Sequence, residues 1–122
     1  MTNKILVSVK TNYLADQTLS NQRYVYSYTI TIANQGDEAA QLISRHWLIR
    51  DAKENVQEVQ GIGVIGEQPH ITPGSSYTYT SGVVLETETG IMQGTYQMRA
   101  DSGEIFDAEI PTFALVPPHS MH

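Results

Sequence analysis

The sequence predicts an all-β protein, an antiparallel β-sandwich. Three observations predict it. Apolar and polar residues alternate with a period of two through most of the 122 residues, turn-forming clusters interrupt that alternation at short intervals, and no segment has helical periodicity. Period-two alternation marks strands with one buried face, and about eight of them at this spacing make two packed sheets.

The elements follow in order. Ile5, Val7 and Val9 alternate with polar neighbours and predict a first strand. In the run Tyr24 to Ile32, Tyr24, Tyr26, Tyr28, Ile30 and Ile32 share one face, while Val25, Ser27, Thr29 and Thr31 share the other. Asn34-Gln35-Gly36-Asp37 ends that strand with turn chemistry. Leu42 to Arg50 is the third long strand and carries Trp47, the only tryptophan. Val56 to Gln60 is polar at alternate positions. Pro73-Gly74 makes a turn before Ser75 to Ser81, where Tyr77 and Tyr79 face one side. Glu88-Thr89-Gly90 and Ser102-Gly103 bracket the stretch holding Gly94-Thr95-Tyr96-Gln97-Met98. Phe106, Ala108 and Ile110 then alternate against Ile105, Asp107 and Glu109.

Two positions narrow the class to an immunoglobulin- or fibronectin-III-like sandwich. Such folds place a tryptophan in the third strand and a tyrosine two residues before an inward position of the sixth. Trp47 takes the first place, and Tyr96 with Met98 takes the second. Residues 1–115 are read as a single domain, and 116–122, with Pro117-Pro118, as a flexible tail.

Composition limits the functions. There is no cysteine, which excludes thiolate metal sites and cysteine catalysis. A net charge of −6 argues against a general nucleic-acid binder. No segment approaches the ~20 apolar residues of a membrane span, and the N-terminal apolar stretch is too short for a signal peptide. A cytoplasmic location is expected.

Gly61-Ile62-Gly63-Val64-Ile65-Gly66 spells G-x-G-x-x-G. A dinucleotide site of that spelling needs a helix beginning within the glycines, so that its free N–H groups face a pyrophosphate. Pro69 and Pro73 stand where the helix would run. Glu86 lies at the distance of a ribose-binding acid, but without the helix that placement has no partner. The loop is therefore read as a corner between sheets, its glycines serving backbone shape. As a shaped surface carrying Val64 and Ile65 beside Pro69, it could dock a protein; as a nest of N–H groups at Gly61, Gly63 and Gly66, it could hold an anion.

Several stretches resemble the ApaG (CorD) family: Ser44-Arg45-His46-Trp47, the run Gly61 to Pro69, Pro73-Gly74, Tyr79 to Gly82, Met92 to Met98, and Ile110 to Phe113. The likeness runs from about Val7 to about Leu115, in order. It implies a fibronectin-III-like sandwich. It links the chain by name and gene context to cobalt resistance, magnesium efflux and dinucleoside-polyphosphate metabolism. Similar domains occur in eukaryotic F-box proteins and in a protein that interacts with DNA polymerase delta, where they look like interaction modules. The resemblance brings no catalytic residue.

The expected function is thus a non-enzymatic protein-interaction module without cofactor, its partner another protein, with self-association through a sheet edge or face as a second form of contact. The candidate binding residues are Arg45, His46, Gly61, Gly63, Val64, Gly66 and Glu67. On a strand Arg45 and Trp47 share one face, where the guanidinium stacks on an aromatic ring or pairs with a carboxylate such as Glu67, and His46 points to the other. The alternative is a binder of diphosphate, dinucleoside polyphosphate or a divalent metal at Gly61 to Gly66. His46, His70, His119, His122, Asp51 and Glu67 are metal-ligand types, but no pair has compact spacing on a firm element, and no dedicated metal site is expected.

Overall fold

Eight strands account for the architecture of residues 4–14 and 23–118, the part of the chain that the computed structural model describes. They are β1 (Ile5–Tyr13), β2 (Tyr24–Asn34), β3 (Ala40–Asp51), β4 (Val56–Ile62), β5 (His70–Ile71), β6 (Ser76–Leu85), β7 (Gly90–Ala100) and β8 (Ile105–Leu115). One antiparallel sheet has the order β1-β2-β6. The other has the order β4-β3-β7-β8, with β5 also on β3. This is the A-B-E and C′-C-F-G arrangement of an immunoglobulin-like sandwich, as the alternation predicts. No helix among the described residues is long and apolar enough to cross a membrane.

The predicted faces are the buried faces. Tyr26, Tyr28, Ile30 and Ile32 of β2 point inward, opposite Trp47 and Ile49 of β3 and Met92, Tyr96 and Met98 of β7. Trp47 sits at the centre of the layer. Its ring lies 5.4 Å from Tyr28, 6.0 Å from Phe113 and 6.4 Å from Tyr96, each edge-on, the geometry aromatic quadrupoles prefer. The Tyr96 hydroxyl meets that of Tyr79 at 2.5 Å and so ties the two sheets across the core. Tyr96 occupies the expected sixth-strand position, but its hydroxyl bonds a phenol of the facing sheet, not upstream backbone.

Two bulges shape the larger sheet. Opposite β7, β3 carries an extra residue between Leu42 and Ser44. Leu42 faces inward before the bulge, and Arg45, Trp47 and Ile49 take the inner positions after it, a parity change that one inserted residue requires. Opposite Met92 to Gly94, β8 carries an extra residue where Pro111 lies. A proline lacks the ladder donor, and a bulge on an edge strand tolerates that loss.

Two expectations change. The crossing between sheets is made by Thr72 to Ser75, where Ser75 N–H donates to Thr72 O and Gly74 takes φ +83, and not by the glycine hexapeptide. At the C-terminus Pro117 is fully buried, so the packed body continues beyond Leu115; the rest of the expected tail, residues 119–122, lies outside the described residues.

Candidate functional site

β4 and β5 both pair with the same edge of β3. β4 covers Ser44 to Arg50, and β5 covers Ala40 and Gln41. Between them the chain leaves the edge opposite the β3 bulge and returns. Gly61 to Pro69 is that excursion, a small projecting hairpin.

Its tip is a four-residue turn. Val64 N–H donates to Glu67 O at 2.8 Å, and Glu67 N–H donates back to Val64 O at 2.9 Å. The central residues Ile65 and Gly66 have φ of 38° and 81°. Positive φ at both central positions is the type I′ geometry, which favours Asn-Gly. Glycine meets it without cost. A β-branched isoleucine does not, and the left-handed region costs such a residue about 1–2 kcal/mol. The strained side chain is 58% exposed, and Ile62 beside it is 76% exposed.

The hairpin base is firmly braced. Ile43, the bulged residue, offers its carbonyl to Gly63 N–H and to Gln68 Nε2, each at 2.9 Å. Leu42 N–H donates to Pro69 O at 2.9 Å. Arg45 Nη1 donates to the carbonyls of Gly63 at 2.8 Å and Ile62 at 3.3 Å. Gly61 lets the guanidinium pass, because a Cβ there would stand 2.8 Å from it. Gly63 is needed twice, for φ +67 and because a Cβ would fall 2.3 Å from Glu67 O.

The predicted site residues divide accordingly. Arg45, His46 and Gly61 line one depression of about 470 Å3, with Ser44, Gln60 and Ile62. Arg45 does lie on the inner face with Trp47, but its partners are loop carbonyls and not Glu67. His46 faces outward and its Nε2 meets Glu58 Oε2 at 2.6 Å. Gly63, Gly66 and Glu67 build the hairpin. Val64 is a correction: its side chain is fully buried and joins the core cluster, so it cannot touch a partner. The apolar contacts on offer are Ile62 and Ile65. Ile65 was legible as an apolar loop residue, but its backbone strain was not.

The hairpin also bears on the anion reading. An anion nest needs free N–H groups, yet those of Gly63, Val64 and Glu67 donate to backbone carbonyls. The chain leads from Gly66 into β5, not into a helix. His70 Nε2 meets Asp101 Oδ1 at 2.8 Å, and among the described residues no three acidic or histidine side chains gather as a metal group. His119 and His122 lie outside the described residues.

The family model described as the ApaG domain (DUF525) matches residues 15–100. This chain belongs to the ApaG family. Protein ApaG of Thiobacillus denitrificans is 57% identical over 120 residues, covering 98% of this chain and 94% of that protein. Among solved structures, the putative ApaA protein from Bordetella pertussis superposes with a TM-score of 0.93 at 45% identity, covering 95% of each chain. The X-ray structure of the structural-genomics target SoR45 superposes at 0.94 with 51% identity, covering 100% of this chain and 93% of that one. The braced hairpin, Gly61 to Pro69, lies within the residues that the ApaG model matches.

Its strain makes a prediction. Replacing Ile65 with asparagine, which tolerates the left-handed region, should stabilise the fold by about 1 kcal/mol. Chemical denaturation of the two proteins checks it, with the midpoint rising at unchanged slope.

Proposed function

We propose that this ApaG-family chain is a non-enzymatic protein-interaction module of the cytoplasm, and that it docks through the Gly61 to Pro69 hairpin, with Ile62 and Ile65 entering an apolar recess of the partner. The observation that carries this reading is Ile65, an exposed β-branched side chain held at φ 38° on a rigid support. Strain retained at an exposed position points to a use outside the fold. The brace supports the same reading, because a preformed element loses little conformational entropy on binding. In this account any link to cobalt or magnesium physiology, or to dinucleoside polyphosphates, runs through the partner.

A photo-crosslinking side chain placed at Ile65 and, as a control, at Ile105 on β8 tests the proposal in living cells. Both positions are exposed isoleucines. The expected result is a discrete adduct with one partner from position 65 and none from 105. Identical adduct patterns from both sites would count against the hairpin.

A further inference from the structure

Among the described residues the outer strands are β1 and β6 in one sheet and β8 and β4 in the other, with the two-residue β5 beside β4, and they differ in how they are guarded. A bare edge offers its N–H and C=O groups to any strand, and charges, prolines and bulges discourage that pairing. β1 carries Lys10, with Lys4 just before it, and packs alongside β8. β8 carries Asp107, Glu109 and Pro111, with a bulge at the proline. β4 carries Glu58 and ends in the projecting hairpin. β6 has none of these devices. No residue from Ile71 to Leu85 is charged, and β6 itself contains no proline. Its register with β2 runs without a shift from Tyr24↔Leu85 to Ala33↔Ser76. Among the described residues no strand pairs with its other side.

We propose that β6 is a pairing edge and that its occupant is β6 of a second copy, joining the two small sheets into one of order β1-β2-β6-β6-β2-β1. Charge selects the occupant. The chain carries a net charge of −6, so two copies repel wherever carboxylates face each other. Antiparallel pairing about a two-fold axis sets each edge against itself, so an edge whose charges are all of one sign, as on β1, β4 and β8, brings like charges together across the seam. Only a neutral edge escapes that penalty. The outer face is also suited to it. Thr80 and Thr78 already form cross-strand hydroxyl pairs with Thr29 at 2.8 Å and Thr31 at 3.1 Å. An axis near Thr80 extends this threonine ladder into the second copy, and threonine pairs favour such contacts.

Sedimentation velocity over a concentration series tests the proposal, on wild type and on Thr80→Lys and Val84→Lys, both at exposed positions. The expected result is a reversible wild-type dimer that strengthens with salt, as the net repulsion is screened. A lysine on the edge discourages pairing wherever it falls in the seam, so each variant should dimerise roughly tenfold more weakly, with an unchanged circular dichroism spectrum. If one variant fails to fold, the other decides. A wild type that stays monomeric at submillimolar concentration overturns the proposal, as does a dimer indifferent to the lysines. Ile65→Asn should dimerise like wild type, which separates this edge from the hairpin reading. An edge that gains amide protection only when an extended peptide of another protein is added also overturns it.

Discussion

Gly94→Ala should destabilise the fold by about 3 kcal/mol or more, at the upper end of what overpacking costs. A Cβ on Gly94 would fall 2.1 Å from the His46 carbonyl oxygen and 3.2 Å from Trp47 Cα. Both obstacles are backbone, so no side chain can swing aside. Gly94 pairs with Trp47 in the ladder between β3 and β7, beside the β8 bulge. Relief therefore requires two central strands to part beneath the tryptophan that organises the core. For a domain of this size the melting temperature should fall by roughly 10 °C. Gly82→Ala is the matched control. There the nearest atom to an added Cβ is Tyr26 O at 3.6 Å, an ordinary contact, and the change should stay within about 1 kcal/mol. Thermal unfolding of the two variants side by side checks the contrast.

The second large effect is alkaline. Burial, with smaller contributions from the Tyr13 phenol and Glu88, pushes the Tyr26 phenol up to about 12. Burial likewise raises Tyr79 and Tyr96, which share their hydroxyl contact in the core. Below pH ~10 these phenols are protonated in both folded and unfolded chains, and they add no pH dependence. Above it the unfolded chain releases protons that the folded chain retains, so stability falls as pH rises. Each buried phenol contributes roughly 1.4 kcal/mol per pH unit. Three together lose about 4 kcal/mol by pH ~11, a large share of the 5–15 kcal/mol typical of a domain. Urea titrations between pH ~8 and ~11.5 should show a plateau followed by a steep decline. The double variant Tyr79→Phe with Tyr96→Phe should keep only about a third of that slope.

Much of the fold was legible because period-two alternation reports burial directly. The β2 run from Tyr24 to Ile32 has its tyrosines and isoleucines inside, as the pattern requires. The bulge in β3 is not read from the sequence, where Leu42 to Arg50 passes as one unbroken strand, and only the burial of both Leu42 and Trp47 reveals it. Leu42 and Trp47 cannot both face inward on an unbroken strand, since they are an odd number of residues apart. The corner was less legible. β5 is only His70–Ile71, too short to show any period, so Pro69 and Pro73 could not reveal that the chain rejoins the same sheet before crossing. At the tip, G-x-G-x-x-G identified a loop of special backbone shape, and the prolines removed the helix. Which apolar side chain turns inward depends on a turn geometry that apolarity alone does not encode. Val64 and Ile65 are near-equivalent in chemistry, yet one is enclosed and the other exposed. Pro117 shows the same limit, since a Pro-Pro tail carries no local signal of the surface it packs into.

Binding is the use we propose for the strain at Ile65. The most direct measurement uses one preparation of Ile65→Asn for two readings, its denaturation midpoint and its capture of partners from lysate, each beside wild type. The expected result is a more stable protein that no longer retains the partner held by wild type. A more stable protein that retains the same partner would contradict it.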